Sequence, residues 1–321
     1  MGGQVLLHQQ GSALAKGDRA TQGGKMEFLT EFPTMGRTDL RDLKKAIDAG
    51  FREFSRSYGE GLEDFFHPLL KFMVWFEKLL VNTPWPIVLL VISALVWLGS
   101  RSWKMVTGTL ACFLVIGYLD MWEDTMATLA IVSVATLLCV AVGLPIGILM
   151  ARSNRAQTII TPILDVMQTI PSFVYLIPVV MLLGIGKVPG LIAVCIYAIP
   201  PMVRLTNLGI RLVDREVLEA ATAFGADYRQ KLFGVQIPLA LPNIFAGVNQ
   251  TIMMALSMVV IASMIGVAGL GVPVLRAVSN QYLALGLMNG LAIVALAIIF
   301  DRVSQTFGRR LQAHRNEGAG E

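Results

Sequence analysis

The sequence predicts an all-α membrane protein with about seven transmembrane helices and an amphipathic N-terminal tail. Three observations carry this. Of 321 residues, 55% are apolar and 15% charged, and the mean hydropathy is +0.65; soluble domains average about 45–50% and about 25%. The apolar residues gather in long runs close to the roughly 20 residues that cross a bilayer. The charges collect between those runs. This composition excludes a disordered tail, a collagen and a disulfide-stapled secreted domain.

The elements follow in chain order. Residues 1–25 are rich in Gly, Gln and Ala and have no apolar h-region, so no signal peptide is expected. Position 6 is Leu6, so the Gly2 myristoylation pattern fails. Met26 is an alternative start. Residues 1–85 hold 11 Lys/Arg and 11 Asp/Glu, a neutral but charge-dense tail. Within it, Leu40, Leu43, Ile47, Phe51 and Phe54 recur at steps of 3 and 4 over residues 38–57, capped by Thr38 or Asp39. A second stripe runs through Leu62, Phe65, Phe66, Leu69, Phe72, Met73, Phe76 and Leu80. Both predict helices lying on the membrane surface, with packing on another subunit as the alternative.

Spans are predicted near residues 84–100, 103–119, 125–151, 159–186, 188–210, 239–267 and 286–305. Pro145, Pro171, Pro178, Pro200, Pro201 and Pro242 fall inside them, which is tolerable where neighbouring helices resatisfy the backbone. Arg101, Lys104, Arg152, Arg155, Arg211, Arg215, Arg229, Lys231, Arg309, Arg310 and Arg315 flank alternate loops. The other loops hold Asp120, Glu123 and Asp124, with Lys187 and Arg276 as their cations. The positive-inside rule then predicts the N-terminus outside and the C-terminus cytoplasmic. The net charge of +4 and pI near 9.0 reflect this topology rather than a nucleic-acid surface.

Catalytic patterns are absent. The sequence has no GxxxxGK[ST], HExxH or GxSxG string. Cys112, Cys139 and Cys195 lie in apolar runs with no disulfide or zinc spacing, and His8, His67 and His314 lie outside those runs. No catalytic residue, bound cofactor or metal is expected on this chain. Asp165 and Asp301 are the acids well inside predicted spans. A proton- or sodium-driven carrier needs more buried ionisable groups than that, which favours an external energy source.

The loop between the fifth and sixth spans is the informative segment. Val217, Leu218, Ala221, Phe224, Tyr228 and Leu232 recur at helical spacing, giving an extramembrane loop an apolar stripe. Such a stripe is a liability in water unless it inserts into a partner's groove or folds back on its own bundle as a lid. Gly225 permits a sharp turn between two short helices, and Pro238 suits the start of the next membrane helix.

Glu219, Ala220, Ala221, Gly225, Val235, Ile237 and Pro238 match in order and spacing the EAA loop of ABC importer permeases, with Val235 in place of the commoner Ile. The chain thus resembles binding-protein-dependent type I ABC permeases. The strings at Gln168–Pro178, 246–251 and 255–264 are similar to the permease subunits of glycine betaine/proline betaine importers, whose choline and carnitine counterparts share them. The resemblance covers most of residues 60–308. It implies a type I (MetI-like) permease core at 125–308, with the EAA loop at 213–238 docking into an ATPase. It also implies a bacterial inner-membrane location. Composition and charge leave two accessory helices at 86–124, an extramembrane tail at 1–85, whose residues 1–37 match nothing in the family, and a cytoplasmic tail at 309–321. The implied partners are cytoplasmic ABC ATPase subunits carrying ATP and Mg, an extracytoplasmic substrate-binding protein and a second copy of the chain in a homodimer.

Candidate pathway residues are Gln168, Pro171, Ser172, Phe173, Tyr175, Asn249, Gln250, Thr251 and Ser257. The polar block 249–251 serves equally as interhelical glue, and the proline-broken segment as an ordinary kink. Gln168, one turn from Asp165, reads as a solvated helix entrance more than a gate. Aromatic faces, above all Trp, hold quaternary ammonium ligands. Trp75, Trp85, Trp97, Trp103 and Trp122 all fall before residue 125. The selective site is therefore expected on a separate binding protein. Choline, carnitine, trimethylamine oxide or another small solute are alternative cargoes, and an ATP-independent osmolyte carrier or channel is the alternative of a different class.

Overall fold

The structure, a computed structural model, describes residues 34–318, with side chains to residue 306. The expectations for residues 1–25 and for Met26 lie outside the described residues. The chain divides into two compact units between Ser57 and Tyr58. Every described element is helical.

The first unit contributes the start of α1 (Arg37–Asn82), with Asp39 in its first turn and Leu40, Leu43, Ile47 and Phe54 exposed. The two expected surface helices are one continuous helix. Gly59, Gly61 and Pro68 lie within it; each weakens a helix, but the ladder persists through them. In the second unit the second stripe divides. Met73 is buried and packs with Leu69, Phe76 and Leu80 into the bundle, while Phe65, Phe72 and Trp75 stay exposed. This half of the tail is therefore part of the core rather than only a surface helix.

Next come α2 (Trp85–Ser100) and α3 (Trp103–Tyr118), 16 residues each. They are apolar, but at 1.5 Å per residue each covers only about 24 Å. Then follow α4 (Trp122–Arg152), α5 (Asn154–Thr169), a 3₁₀ turn (Ser172–Tyr175), α6 (Leu176–Leu183) and α7 (Lys187–Arg211). After α8 (Arg215–Ala223) comes the helical run α9 (Tyr228–Ile265), then α10 (Gly271–Asn280) and α11 (Leu283–Gly318).

Four of these, α4, α7, α9 and the Leu283–Thr306 part of α11, are individually long and apolar enough to cross a bilayer. Two bent pairs raise the number to six if each is one span. These six and the shorter apolar α3 (Trp103–Tyr118) correspond to the seven expected segments, with α3 short of a full crossing. The 84–100 segment joins α1 through a 109° bend, and the 159–186 segment is two helices bent by 107°. The second break falls where Pro171 holds Ile170 in an extended conformation (ψ 129°).

The core sits where α7 packs between α4 and α9, with α11 on the far side of α9. Val132, Cys139, Leu191, Val194, Ala198, Ala255, Met258 and Ala262 are almost fully buried there. Close approach depends on small residues. A Cβ on Gly147 of α4 would lie 2.5 Å from Thr206 Cβ and 2.8 Å from the Val203 carbonyl of α7. One on Gly209 of α7 would lie 2.7 Å from Asn243 Cβ of α9. At the opposite end, Gly186 N–H donates to the Ile265 carbonyl (2.9 Å) and Leu270 N–H to Thr128 Oγ1 (2.9 Å). Lys187 Nζ pairs with both oxygens of Glu77 at 2.6–2.7 Å, joining α7 to the end of α1.

Candidate functional site

The 213–238 loop is built by local sequence rules. Asp214 Oδ1 caps α8 by accepting from Glu216 N–H (3.0 Å). At the other end Ala226 N–H donates to the Ala221 carbonyl and Gly225 N–H to the Thr222 carbonyl, both at 3.0 Å. That pair of bonds is the Schellman termination. It requires a left-handed residue four positions after Ala221, and Gly225 stands there with φ +80°. The spacing from Ala221 to Gly225 thus has a mechanical cause. Two residues later Asp227 and Gln230 form a capping box, with bonds of 2.7 and 2.8 Å, that starts α9.

The hairpin is then tied down. Lys231 Nζ donates to Thr222 Oγ1 (3.1 Å), joining the two arms. Arg152, the last residue of α4, stacks 4.0 Å above the Tyr228 ring. At the base, Arg211 Nε donates to Asn207 Oδ1 (3.0 Å) and Nη2 to the Met150 carbonyl (2.8 Å) and Asn154 Oδ1 (3.0 Å). One guanidinium therefore fastens the end of α7 to the junction of α4 and α5.

The apolar stripe is distributed as follows. Leu232 is buried, and Leu218 and Ala221 are half-buried. Val217 and Tyr228 are exposed, and Phe224 at the tip is 93% exposed. Glu219 and Ala220 also face solvent. The loop is not a lid, because its largest apolar side chain does not fold back. Val235, Ile237 and Pro238 are half-buried in α9. Regular α winding in α9 begins at Ile237 with Pro238 in its first turn, as the sequence suggests. Helix already runs from Tyr228, and Lys231–Gln236 directly ahead of the proline are π-wound. Pro238 has no N–H for the Gly234 carbonyl one turn back, so the regular ladder is interrupted where the winding changes.

The pathway candidates are not brought to one place. Asn249 Nδ2 donates to Asp301 Oδ1 (2.7 Å), which also accepts from Gln305 Nε2 (2.7 Å). Asn249 is therefore glue between α9 and α11. Thr251 is fully buried, and its hydroxyl has no hydrogen-bond partner among the described residues. Gln250 and Ser257 are exposed, seven positions apart on one stripe of α9 with Met253 and Met264. Ser257 Oγ donates to the Met253 carbonyl (3.1 Å). At the broken segment, Gln168, Pro171 and Phe173 are exposed and Ser172 is half-buried. Tyr175 folds back and donates its hydroxyl to the Met167 carbonyl across the break.

Asp165 pairs with Arg204 of α7, so the acid next to Gln168 is a bridge between α5 and α7 rather than a free entrance charge. Sequence reasoning missed Arg204 and Asn207. A charge within an apolar run was the available signal for Arg204. For Asn207, the position one turn before Arg211 was the signal.

Comparison with known proteins agrees with this architecture. Residues 143–313 match the family described as the binding-protein-dependent transport system inner membrane component. The chain is 50% identical over 241 residues to the glycine betaine/proline betaine transport system permease protein ProW of Escherichia coli (strain K12), covering 75% of this chain and 68% of that one. It is 46% identical over 232 residues to the glycine betaine/carnitine transport permease protein GbuB of Listeria monocytogenes, covering 72% and 82%. An inward-facing structure of the MetNI methionine ABC transporter superposes with a TM-score of 0.53 at 19% identity, covering 58% of this chain and 93% of that one, a likeness of fold. These relatives are permease subunits, transport proteins rather than enzymes, and this chain belongs to the family of binding-protein-dependent transport system inner membrane components.

Proposed function

We propose that this chain is the membrane-spanning subunit of an ATP-driven importer for glycine betaine/proline betaine-type osmolytes. The observation that carries the coupling role is the capped and cross-tied hairpin at 213–238, which presents Phe224 almost fully to solvent. An exposed aromatic on a preorganised helical tip fits a pocket on a partner and buries area at low entropy cost. The partner is the ATPase subunit, which carries ATP and Mg; this chain binds no nucleotide. The names of the ProW and GbuB relatives support the cargo class.

In this reading two copies form a homodimer and two ATPases engage the two hairpins from the cytoplasm. A binding protein delivers solute on the outer face. The cation-rich loop end of the bundle faces the cytoplasm, which places the N-terminus outside and the C-terminus inside. The core at 125–308 carries the route, and residues 86–124 are accessory helices. Gln250 and Ser257 on the exposed stripe of α9 are the pathway residues of choice, since Asn249 is engaged with Asp301. ATP binding draws the hairpins together and opens the route outward, and hydrolysis resets it. The Arg152–Tyr228 and Arg211 contacts transmit that motion to α4, α5 and α7.

The test is uptake into proteoliposomes containing the chain, its ATPase and its binding protein. Labelled glycine betaine, proline betaine, choline, carnitine and trimethylamine oxide are offered with and without internal ATP. ATP-dependent accumulation of a betaine supports the reading. Flux that ignores ATP and the partners replaces it with a carrier or channel. Glu219→Arg and Gly225→Pro should each abolish ATPase association, and unchanged association would remove the coupling role.

A further inference from the structure

A cavity of about 520 Å³ opens on the side of the bundle between the end of α1, α2, α3, α4 and α11. Its lining is almost wholly apolar, with Ile87, Val91 and Leu95 of α2 facing Leu129 of α4 and Phe300 and Val303 of α11. From Ile87 to Val96 it runs about 14 Å along α2 at 1.5 Å per residue. That is close to one leaflet, half of a hydrocarbon core of about 30 Å. Ile87, Val91 and Leu95 are each about half exposed, so the groove is open along its length.

One end is marked by charge. A Cβ on Gly99 would lie 3.2 Å from Val303, and Thr306 Oγ1 lies 3.7 Å from Met105 Sδ, so the α2–α3 turn meets α11 there. Arg101, Lys104 and Arg302 all sit within a turn of that meeting point and are exposed. The nearby Asp301 forms no ion pair with any of the three among the described residues; its Oδ1 accepts from Asn249 and Gln305. Trp97 and Trp103, with ring centroids 6.4 Å apart, are exposed at the same end. Exposed Trp beside cations is the signature of the headgroup level. This end lies on the side of the 213–238 hairpin, since α11 pairs with α9 at Asp301–Asn249 and runs on from there towards the hairpin end of α9.

We propose that this groove is a phospholipid site, holding one acyl chain along α2 while Arg101, Lys104 and Arg302 meet an anionic headgroup. Apolar length, open side, cationic rim and aromatic belt all coincide in one place. The site stands independently of which solute the transporter carries.

The test uses the full chain, purified in mild detergent, with retained lipid extracted and quantified by mass spectrometry. The unmodified chain should retain phosphatidylglycerol over phosphatidylethanolamine. Val91→Trp fills the groove and should remove the retained phospholipid. Leu90→Trp, on an exposed residue off the groove, should not. Arg101→Gln, Lys104→Gln and Arg302→Gln are surface changes that leave packing intact, and each should lower the preference for phosphatidylglycerol about fivefold. A phospholipid with a diazirine in its acyl chain should label peptides from residues 85–100. Equal retention in the two Trp variants would overturn the site, and so would a headgroup preference unmoved by the Gln changes. Retention of free fatty acid instead of phospholipid, or labelling that joins two copies of the chain, would overturn it as well.

Discussion

The α4–α7–α9 core and the 213–238 hairpin are held by opposite means. In the core, backbone approaches backbone through Gly147 and Gly209, and the surrounding Val, Leu, Met and Ala side chains are almost fully buried. In the hairpin little is buried, and shape comes from two caps, one Schellman turn and a few polar ties. The contrast matters because it separates what folds the protein from what a partner reads. Away from those glycines, a core tolerates extensive apolar substitution that keeps volume and patterning. A hairpin that must present one aromatic to another protein depends on specific residues at specific offsets.

The largest effect that tests this contrast is Gly147→Val. Its new atoms would overlap Thr206 and the Val203 carbonyl, and backbone cannot move aside as a side chain can. Overpacking of this kind costs about 1–3 kcal/mol or more. Detergent-purified protein should melt markedly lower, or fail to accumulate, whatever partner is present. Phe224→Asp should do the reverse. Melting should stay where it was, because 93% of that side chain already faces solvent. ATPase association should fall by about 30-fold or more, as for a hot spot worth about 2 kcal/mol, and ATP-driven uptake with it. If Phe224→Asp lowered the melting temperature as much as Gly147→Val, the two regions would not be distinct.

The same contrast explains what the sequence made legible. The hairpin could be read because its residues obey short-range rules. Gly225 follows Ala221 at the distance a Schellman turn imposes and so reads as the turn between two helices, whereas the Asp227–Gln230 capping box appears only in the structure. The membrane class was equally legible from apolar runs. What hydropathy did not register is the 109° bend before Trp85, the 107° bend at Pro171 and the shortfall of the 16-residue α3. Pro238 read as a helix start, and α winding does begin at Ile237; what left no signal was the π winding of Lys231–Gln236 that joins it to the turn capped by Asp227. Pairings across the bundle left no local pattern at all. Nothing near Asp301 in sequence points to Asn249, nor anything near Lys187 to Glu77. The polar block 249–251 showed its polarity but not its division into one engaged, one exposed and one buried residue.

Where the two regions join, the expected effects are smaller. Arg211→Lys keeps the charge but loses the planar fork that reaches Asn207, the Met150 carbonyl and Asn154 together. A cost of about 2 kcal/mol is expected for the lost charge-assisted bonds, visible as a lower melting temperature. Uptake per ATP should also fall, because the base of the hairpin loosens from α4 and α5. Gly225→Ala should cost about 1–2 kcal/mol, the penalty of left-handed backbone for a residue with a Cβ. No atom stands within 4 Å of where that Cβ would lie, so the cost is conformational alone. Its readout is ATPase affinity rather than melting.

Lys231→Met is the smallest and the most discriminating of these changes. It removes the bond to Thr222 Oγ1 that joins the hairpin's arms, and little else, since Met keeps most of the aliphatic stem. An exposed hydrogen bond of this kind is worth about 0.5–1.5 kcal/mol, towards the low end because water competes for both partners. Global melting should not move. Thr222 also donates to the Leu218 carbonyl within α8, so that helix keeps its own bond when the lysine is lost. What changes is the freedom of α8 to swing about Gly225. Hydrogen exchange at Ala221–Ala226 should rise several-fold with ATPase affinity down by less than tenfold. If exchange rose and affinity did not change, the hairpin's rigidity would be incidental, and Phe224 would act as a tethered anchor rather than as the tip of a stiff lever.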